Sequence, residues 1–437
     1  MTMTRRDFMQ TAGIAASLGA LRETLPAETN RRLRLVLVGT GERGTETWGK
    51  CLVDSYGDVI EFVGLCDINA RRVRVAQSMI GTDAPTFTDF DRMMRETKPQ
   101  LVIVAAVDGT HWRHITCAME LGADVITEKP LCIDEGQCQA IRETWKRTGR
   151  KLTVALNARH LPEAKKVKQL LLEKSIGDVL SVDFHEYLDT RHGADYFRRW
   201  HYRRENSGTL LCSEACHHFD QVNWWLESAP VSVSAWGDLR FYGRNHPFRS
   251  THCRACPHRS QCCFYWDISK NEKYVKLYVD CESEDGYLRD ACVWRADTDI
   301  HDTMSVRVKY ENGAFLTYTA NAYLPLEGQS ISLNGTKGRL DVNNFGGDGF
   351  QNREVRLSLN SGVSQTVHDS EPQLPGGHRG ADTSLQNLLF RNQTCPDPLK
   401  LHAEFRAGAL SSLIGIAACR SIEREGQPIH IGSLLEL

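Results

Sequence analysis

The stretch "LRLVLVGTGERG", residues 33–44, joins an apolar run directly to the glycine pattern GxGxxG. A strand that enters a helix through such a turn is the fingerprint of a dinucleotide-binding fold. The first glycine permits the turn, the second lets a pyrophosphate approach the backbone, and the third lets the helix pack on the strand. Free N–H groups at the helix N-terminus then face the phosphates. The pattern predicts cofactor contacts at Gly39, Gly41, Glu42, Arg43 and Gly44.

A carboxylate follows at the end of the next apolar run, "VIEFVGLCD", residues 59–67. Asp67 comes about 20 residues after the last glycine, where an acidic side chain accepts hydrogen bonds from the adenosine ribose. Arg71 and Arg72 follow closely enough to hold a 2′-phosphate. NAD is therefore the favoured cofactor, and NADP stays open.

Two further apolar runs, "QLVIVAAVDGTHWRH" and "ADVITEKPL", each end in polar residues at a turn. In a doubly wound sheet, ligands bind at the carboxyl ends of the strands. His111, Glu128 and Lys129 are thus predicted to face the cofactor crevice. For His111, a role in packing its own loop is an equal alternative.

Composition limits the classes of partner. With 437 residues, 41% of them hydrophobic and 25% charged, the chain is typical of a soluble protein of two domains. The 53 basic residues nearly balance the 55 acidic ones, without long runs of one sign, which argues against nucleic acid and anionic membranes as partners. No stretch of eighteen consecutive apolar residues occurs, so no membrane span is predicted. A small-molecule substrate is the expectation.

The N-terminus, "MTMTRRDFMQTAGIAASLGAL", has a twin arginine followed by an apolar run at residues 11–21. That run is too short to span a bilayer and has the shape of an export signal. Arg5 and Arg6 with Phe8 resemble the signal of the bacterial twin-arginine route. We therefore predict a leader at residues 1–30 and a periplasmic or otherwise exported protein. A cytoplasmic protein with an unstructured N-terminus is the alternative.

Two motifs together resemble the Gfo/Idh/MocA family of sugar and polyol oxidoreductases: "EKP" at residues 128–130 and "SGTLLCSEACHHFDQVNWWL" at residues 207–226. The likeness extends over nearly all of the chain after about residue 31. His217 falls on the family histidine and Asp220 on the later aspartate. Ser213 stands where the family has an acidic residue, and this is a departure.

The resemblance implies that Lys129 and His217 share the acid–base duty when a secondary alcohol is oxidised and its hydride passes to a nicotinamide. Because Ser213 lacks a carboxylate, His217 needs another partner. Glu214, His218 and Asp220 are the nearby candidates. For His218, packing of the helix against a sheet is an alternative to a contact with substrate.

The segment "HEYLDTRHGADYFRRWHYRR", residues 185–204, is rich in aromatic, acidic, histidine and arginine side chains, which suit a sugar pocket, although a solvated basic loop has the same composition. The family passes into its second domain near the end of "KLTVALNAR", residues 151–159, where Asn157 is predicted to touch the cofactor. Predicted substrate contacts are Arg159, Asp189, His192, Tyr196, Arg198, His201 and His218.

The second half is strand-rich, with alternating apolar runs separated by glycine turns. The predicted fold is an α/β Rossmann domain with a doubly wound parallel sheet, followed by an α+β domain with a large, mainly antiparallel sheet. Their predicted bounds are 31–157 and 158–437, and a C-terminal helix is expected near 401–425. Strands are predicted at 179–183, 231–236, 304–310, 314–320, 330–334 and 338–342.

A cysteine-rich insert at about residues 241–300 interrupts this scheme with "THCRACPHRSQCCFYWD", residues 251–267. Cys253, Cys256 and Cys262 have the spacing of metal ligands, and Cys292 is the preferred fourth, with Cys263 and Cys281 as alternatives. Such a site is closed and structural, and zinc is the favoured ion. An iron–sulfur cluster, disulfides and free thiols are the alternatives.

These observations predict an NAD(P)-dependent oxidoreductase that acts on a secondary hydroxyl of a sugar, polyol or glycoside. Its cofactor should be tightly bound, because free NAD is scarce outside the cytoplasm, and a homo-oligomer is expected. One alternative is net glycoside cleavage by transient oxidation, elimination and return of the hydride. Another is a sugar- and NAD-binding protein without catalysis.

Overall fold

The structure is a computed structural model, and it describes residues 32–346, 352–368 and 376–436. The predicted leader at residues 1–30 lies outside these ranges. Within them, no helix is both long enough and apolar enough to cross a membrane.

The first sheet contains six parallel strands: β1 Leu33–Val38, β2 Ile60–Cys66, β3 Thr86–Phe87, β4 Leu101–Val104, β5 Asp124–Thr127 and β6 Leu152–Val154. Their order is β3-β2-β1-β4-β5-β6. The order reverses between β1 and β4, which places a ligand crevice at the carboxyl ends of these two strands. The predicted Rossmann fold is confirmed.

Helices connect the strands of this sheet. The first begins as a π-helix at Arg43–Lys50 and continues as an α-helix at Cys51–Tyr56; the others are Ala70–Ile80, Phe90–Thr97, His111–Glu120 and Glu135–Thr148. Asn69, Asp89 and Asp134 cap three of them, since each side chain accepts a backbone N–H of the first turn. Short 3-10 helices at Asp108–Thr110 and Asn157–His160 follow β4 and β6.

The second sheet has nine strands among the described residues: β7 Val179–Asp189, β8 Pro230–Asp238, β9 Thr303–Tyr310, β10 Phe315–Leu324, β11 Glu327–Gly335, β12 Gly338–Gly346, β13 Asn352–Leu359, β14 Ser364–His368 and β15 Ile429–His430. Their order is β14-β13-β12-β11-β7-β10-β9-β8-β15. Every described pair is antiparallel except β7 with β10. The predicted strands are confirmed and run longer than predicted.

Helices cover this sheet, and their buried side chains join its core. They are Pro162–Leu172, His192–Arg198, Leu210–Ser213, Cys216–Leu226, Phe405–Glu423 and Ile431–Leu434. A further short helix spans Arg204–Ser207, and Ala381–Phe390 instead buries its apolar side chains in the cluster that contains Leu35 and Leu37 of β1. The predicted C-terminal helix is thus Phe405–Glu423, and fourteen of its residues are buried. The helices Leu210–Ser213 and Cys216–Leu226 contain most of the motif at residues 207–226 and bring it to the crevice.

The insert lies between β8 and β9, and short helices at Glu272–Leu277 and Glu282–Asp285 form its second part. Leu277 and Tyr278 are buried in the same apolar cluster as Leu35 and Leu37 of β1. The second part of the insert therefore packs on the Rossmann domain, an arrangement that its sequence did not indicate.

Candidate active site

The glycine-rich turn has the geometry that its sequence requires. Gly39 has φ of +88°, and a Cβ there would lie 2.4 Å from the carbonyl oxygen of Ala105. A Cβ on Gly44 would lie 1.9 Å from the carbonyl oxygen of Gly39. At Gly41 the nearest atom to a Cβ would be the Tyr278 hydroxyl at 3.4 Å. The turn and the close helix contact thus both demand glycine, and they form a cradle that fits a dinucleotide.

Asp67 is buried at the end of β2, and its carboxylate is held by several donors. It accepts hydrogen bonds from the N–H and hydroxyl of Thr40 at 2.8 and 3.0 Å, and from the N–H of Asn69 at 3.0 Å. Arg72 reaches the same carboxylate at 3.2 Å and Asp285 of the insert at 2.7 Å. Arg72 is thus occupied by two acidic partners, which disfavours its use for a 2′-phosphate.

Glu42, in the glycine-rich turn, is bound by the insert on three sides. Its N–H donates to the Tyr278 hydroxyl at 2.8 Å. Its carboxylate accepts hydrogen bonds from the Tyr274 hydroxyl at 2.7 Å and from Lys273 Nζ at 2.8 Å. The insert therefore lies directly across the turn predicted to hold the phosphates.

Three of the predicted cofactor residues are joined to one another through Arg43 and Asp382. Arg43 pairs with Glu128 at 2.6 Å and with Asp382 at 2.7 and 2.9 Å. Asn157 donates its amide to Asp382 at 2.7 Å, and Trp48 donates its indole N–H to Glu128 at 2.7 Å. These side chains fix the turn and the first helix against the helix Ala381–Phe390. They thereby hold the glycine-rich turn in place.

His111 is fully buried, and both ring nitrogens face backbone carbonyls. Nδ1 lies 2.9 Å from the oxygen of Pro130, and Nε2 lies 3.1 Å from the oxygen of Ala106. The histidine thus links the loops that follow β4 and β5. This is the loop-packing role that the sequence left open.

Lys129 extends from the loop after β5 to the helix Leu210–Ser213. Its Nζ donates to the carbonyl of Ser213 at 2.8 Å and lies 3.1 Å from Oε2 of Glu214. Burial lowers the pKa of Lys129, but the charge of Glu214, with smaller effects of Cys216 and Asp108, outweighs it and the pKa is raised. The ammonium is thus charged at neutral pH.

Glu214 is the acidic residue at the centre of the site. It accepts a hydrogen bond from the Tyr196 hydroxyl in addition to its pairing with Lys129. Burial raises its pKa, but Lys129 and then His217 oppose this effect, and the pKa lies well below the ordinary value. Glu214 thus supplies, one position later, the carboxylate missing at Ser213. Of the three candidate partners for His217, Glu214 is the one whose charge raises the pKa of the histidine.

His217 lies on the helix Cys216–Leu226. Burial, and next the charge of Lys129, lower its pKa well below the ordinary value, although Glu214 acts in the opposite direction. Among the described residues, no hydrogen-bond partner meets its buried Nδ1. A neutral imidazole with an unpartnered nitrogen is suited to accept a proton.

His218 faces the second sheet, where Tyr318 lies 2.9 Å from Nδ1 and Gln329 lies 3.2 Å from Nε2. Its Nε2 is also 3.4 Å from Oε2 of Glu186. Burial lowers the pKa of His218 to about 4 and raises that of Glu186 well above its ordinary value. Both shifts favour the neutral forms, so this part of the site offers uncharged donors and acceptors.

Glu186, Glu214 and His218 also form the one group of three candidate metal ligands in the described ranges whose ligand atoms lie within 4.8 Å of one another. The ammonium of Lys129 already neutralises Glu214, which weakens the case for a cation there. Asp108 lies near Lys129 and is buried, and burial raises its pKa to about 7. Its Oδ2 has no hydrogen-bond partner in the described part of the chain.

The predicted substrate residues separate into two groups. Tyr196, His192 and His201 lie near Glu214: the ring of Tyr196 is 5.3 Å from that of His192 and 5.1 Å from that of His201. His192 pairs with Glu327 at 2.7 Å. The buried Nδ1 of His201 meets no hydrogen-bond partner among the described residues.

Three other predicted substrate residues point elsewhere. Arg159 forms a buried bidentate pair with Asp220 at 2.7 and 2.6 Å, so neither is available to a substrate. Asp189 accepts the N–H groups of two residues that follow it, at 2.8 and 2.7 Å, and so forms a turn. Arg198 points into the insert, toward Cys253.

The four cysteines predicted as metal ligands lie on the walls of one small cavity in the insert. No three of their sulfur atoms come within 4.8 Å of one another. The residues that line this cavity do not include Lys129, Glu214 or His217.

Comparisons with known proteins agree with this geometry. The oxidoreductase family's NAD-binding Rossmann fold matches residues 33–156, and its C-terminal alpha/beta domain matches residues 168–429. The Bacillus subtilis protein YteT, whose name proposes an oxidoreductase, is 33% identical over 428 residues, which are 92% of this chain and 99% of YteT. Inositol 2-dehydrogenase/D-chiro-inositol 3-dehydrogenase of Lactiplantibacillus plantarum is 26% identical over 40% of this chain and 47% of its own length.

Among solved structures, a levoglucosan dehydrogenase in complex with NADH and levoglucosan superimposes with a TM-score of 0.67. It is 17% identical and covers 92% of this chain and 100% of its own. At that identity the likeness concerns the fold.

Proposed function

The chain belongs to the Gfo/Idh/MocA oxidoreductase family, and from that premise we propose that it oxidises a secondary hydroxyl of a sugar, polyol or glycoside with a tightly bound NAD. One observation carries the proposal: a charged Lys129 pairs with the mostly buried carboxylate of Glu214, and the charge of the same carboxylate acts on a neutral His217. Oxidation of an alcohol needs both a proton acceptor and a cation near the hydroxyl oxygen.

Lys129 and His217 have different roles in this proposal. His217 accepts the hydroxyl proton at a ring nitrogen, because its neutral form dominates at pH 7. Lys129 stays protonated and stabilises the negative charge that develops on the substrate oxygen. Glu214 holds the lysine in position and partly balances its charge. When bound, NAD supplies the acceptor for the hydride.

The polar groups around this pair support a polyhydroxyl substrate. The Nδ1 atoms of His201 and His217 are buried without hydrogen-bond partners in the described residues, and the buried Oε2 of Glu186 has only its 3.4 Å contact with Nε2 of His218 there. Buried polar atoms without partners cost free energy, and hydroxyl groups of a ligand would satisfy them as donors or acceptors. Tyr196 is 4% exposed and holds Glu214 in place through its hydroxyl.

One set of contacts favours NAD over NADP, and a second set favours slow release of the cofactor. Arg72 is occupied by Asp67 and Asp285 and so is not free to bind a 2′-phosphate. The insert holds Glu42 of the glycine-rich turn through Tyr274 and Tyr278. A segment that covers this turn must move before a cofactor can leave.

The test begins with the native protein. Nucleotide released by denaturation is identified by mass spectrometry, and retention of NAD through gel filtration is expected. The protein is then mixed with a panel of sugars, polyols and glycosides without added cofactor. A stoichiometric rise in the absorbance of reduced nicotinamide, followed by turnover when an external oxidant is supplied, supports the proposal.

The same experiment separates the alternatives. Repeated release of aglycone from a glycoside without net reduction of the cofactor would replace dehydrogenation by redox-assisted cleavage. Sugar binding that is unchanged in Lys129→Ala, with no reduction in either protein, would indicate a binding protein. Lys146→Ala, in the exposed last turn of the helix Glu135–Thr148, is the matched control.

Export and assembly complete the proposal. We expect fractionation of cells to place the protein outside the cytoplasm, and Arg5→Lys with Arg6→Lys to retain it inside. Light scattering of the purified protein is expected to show a homo-oligomer. A cytoplasmic monomer would contradict both expectations.

A further inference from the structure

Four thiols share one cavity in the insert, and the cavity lining does not include Lys129, Glu214 or His217. The thiols belong to Cys253, Cys256, Cys262 and Cys292. The remaining walls are mainly aromatic, with Phe248, Phe264 and Trp294 among them, and include no carboxylate. All fifteen cysteines of the chain fall in the described residues, and none forms a disulfide.

The backbone sets the positions of these four cysteines. His252 and Ala291 form an antiparallel bridge, which places Cys253 and Cys292 on neighbouring segments. The N–H of Cys253 donates to the carbonyl of Asp290 at 2.8 Å. Cys256 closes a turn by donating its N–H to the carbonyl of Cys253 at 3.1 Å. Pairs of cysteines presented by a tight turn and by an adjacent segment are typical of metal sites.

The buried side chain of Arg198 places a positive charge at the wall of the cavity. Arg198 is 7% exposed and donates to Sγ of Cys253 at 3.1 Å, to the carbonyl of Ala291 at 3.3 Å and to the carbonyl of Phe264. None of its hydrogen bonds in the described part of the chain goes to a carboxylate. The carboxylate whose charge Arg198 shares, Asp195, also interacts with Arg199 and Arg289, and thiolates bound to a metal would add negative charge beside the buried guanidinium.

We propose that the four cavity cysteines bind a metal centre as thiolates, either a single zinc ion or an iron–sulfur cluster. Both centres use four cysteine sulfurs and need no other ligand. Thiolates around one zinc ion stand about 3.8 Å apart, given a Zn–S distance of about 2.3 Å. No three sulfurs here lie within 4.8 Å of one another. Zinc therefore requires the loops to close slightly, whereas a cluster places its own atoms between the sulfurs.

The test measures zinc, iron and acid-labile sulfide per chain in tag-free protein purified both with and without air. One zinc per chain, or iron and sulfide in equal amounts with visible absorption, supports the proposal and identifies the centre. Cys256→Ser is expected to lose the metal, to a small fraction of an equivalent. Cys263→Ser, an exposed neighbour that does not line the cavity, is the matched control and should retain it.

A second measurement keeps the proposal testable if Cys256→Ser does not fold. In the native protein, a chromogenic chelator should release the metal while four additional thiols per chain become reactive. A folded protein that contains no metal under either condition would overturn the proposal. So would a mass that is reduced by a disulfide among the four cavity cysteines in protein purified without air.

Discussion

Replacing Glu214 by Gln should convert the charged Lys129 into a lysine that loses its proton far more easily. The change keeps the shape of the side chain and its hydrogen bond from Tyr196 but removes the negative charge 3.1 Å from Lys129 Nζ. Burial alone lowers the pKa of Lys129, and Glu214 is the largest of the charges that raise it. Without that carboxylate, the effect of burial should dominate.

The size of the change follows from the pairing. Both side chains are mostly buried, with relative exposures of 19% for Lys129 and 14% for Glu214. A hydrogen bond to a charged group contributes about 1.5–3 kcal/mol. This energy corresponds to a shift of about 10- to 100-fold in the protonation equilibrium of the lysine. His217 should respond in the same direction, since Glu214 raises its pKa as well.

Competitive acetylation over a range of pH measures this effect without a known substrate. Only the uncharged amine reacts, so the pH at which Lys129 becomes reactive reports its protonation, and mass spectrometry reads each lysine separately. The midpoint should move to lower pH in Glu214→Gln. Glu205→Gln is the matched control, because its side chain is 71% exposed and pairs only with Arg203, at 3.6 Å.

An unchanged midpoint for Lys129 in Glu214→Gln would refute the reasoning, even if catalytic activity fell. It would mean that the hydrogen bond to the carbonyl of Ser213 suffices to keep the lysine charged. Once a substrate is known, the basic limb of the kcat/KM profile should shift to lower pH in the variant, whereas a purely structural loss would reduce kcat/KM equally at all pH values.

Three other expectations follow from buried charges and from the insert. Burial raises the pKa of Asp108 in the folded protein from 3.8 to about 7. Its protonated form therefore stabilises the fold below pH 4, and this stability is lost as the pH rises through 7. Asp108→Asn should have the same melting temperature as the wild type at pH 4 and an increasingly higher one toward pH 8, as measured by calorimetry. Lys273→Ala should release NAD about two- to fivefold faster by removing a half-buried ion pair to the glycine-rich turn, and Lys276→Ala on the same helix should not, by stopped-flow trapping. Arg159→Met should cost about 3–5 kcal/mol in urea unfolding because it leaves Asp220 buried and unpaired, and the added change Asp220→Leu should recover most of this.

The Rossmann sheet could be predicted because its information is local. Apolar runs of four to seven residues that end at glycine or polar turns are enough to define parallel strands. The second sheet was predicted as antiparallel from alternating runs, and the parallel pair β7 and β10 was not foreseen. Such a pairing joins strands far apart in the chain, and alternation along one strand does not report its neighbour's direction.

The candidate active site could be predicted only in part from the sequence. Motifs indicate Lys129 and His217 as the acid–base pair, a role that stays a prediction, and Glu214 is one of three candidate partners of the histidine. The choice among them depended on Arg159, which occupies Asp220 across 61 residues of chain. Asp382 escaped notice because no motif surrounds it, although it joins Arg43 and Asn157. Long-range partners of buried charges are set by packing, and a pattern within one segment does not encode them.

The insert illustrates the same limit on a larger scale. Its cysteine spacing was visible in the sequence, but its contact with Glu42 spans 236 residues between Tyr278 and the glycine-rich turn. The segment that presents the cavity cysteines thus also presents Tyr274 and Tyr278 to that turn. Because the short helices of the insert bury little apolar surface of their own, a metal centre at its base would give them the rigidity that such a contact requires. The proposed metal site and the proposed retention of the cofactor therefore both depend on the insert, and neither depends on Lys129.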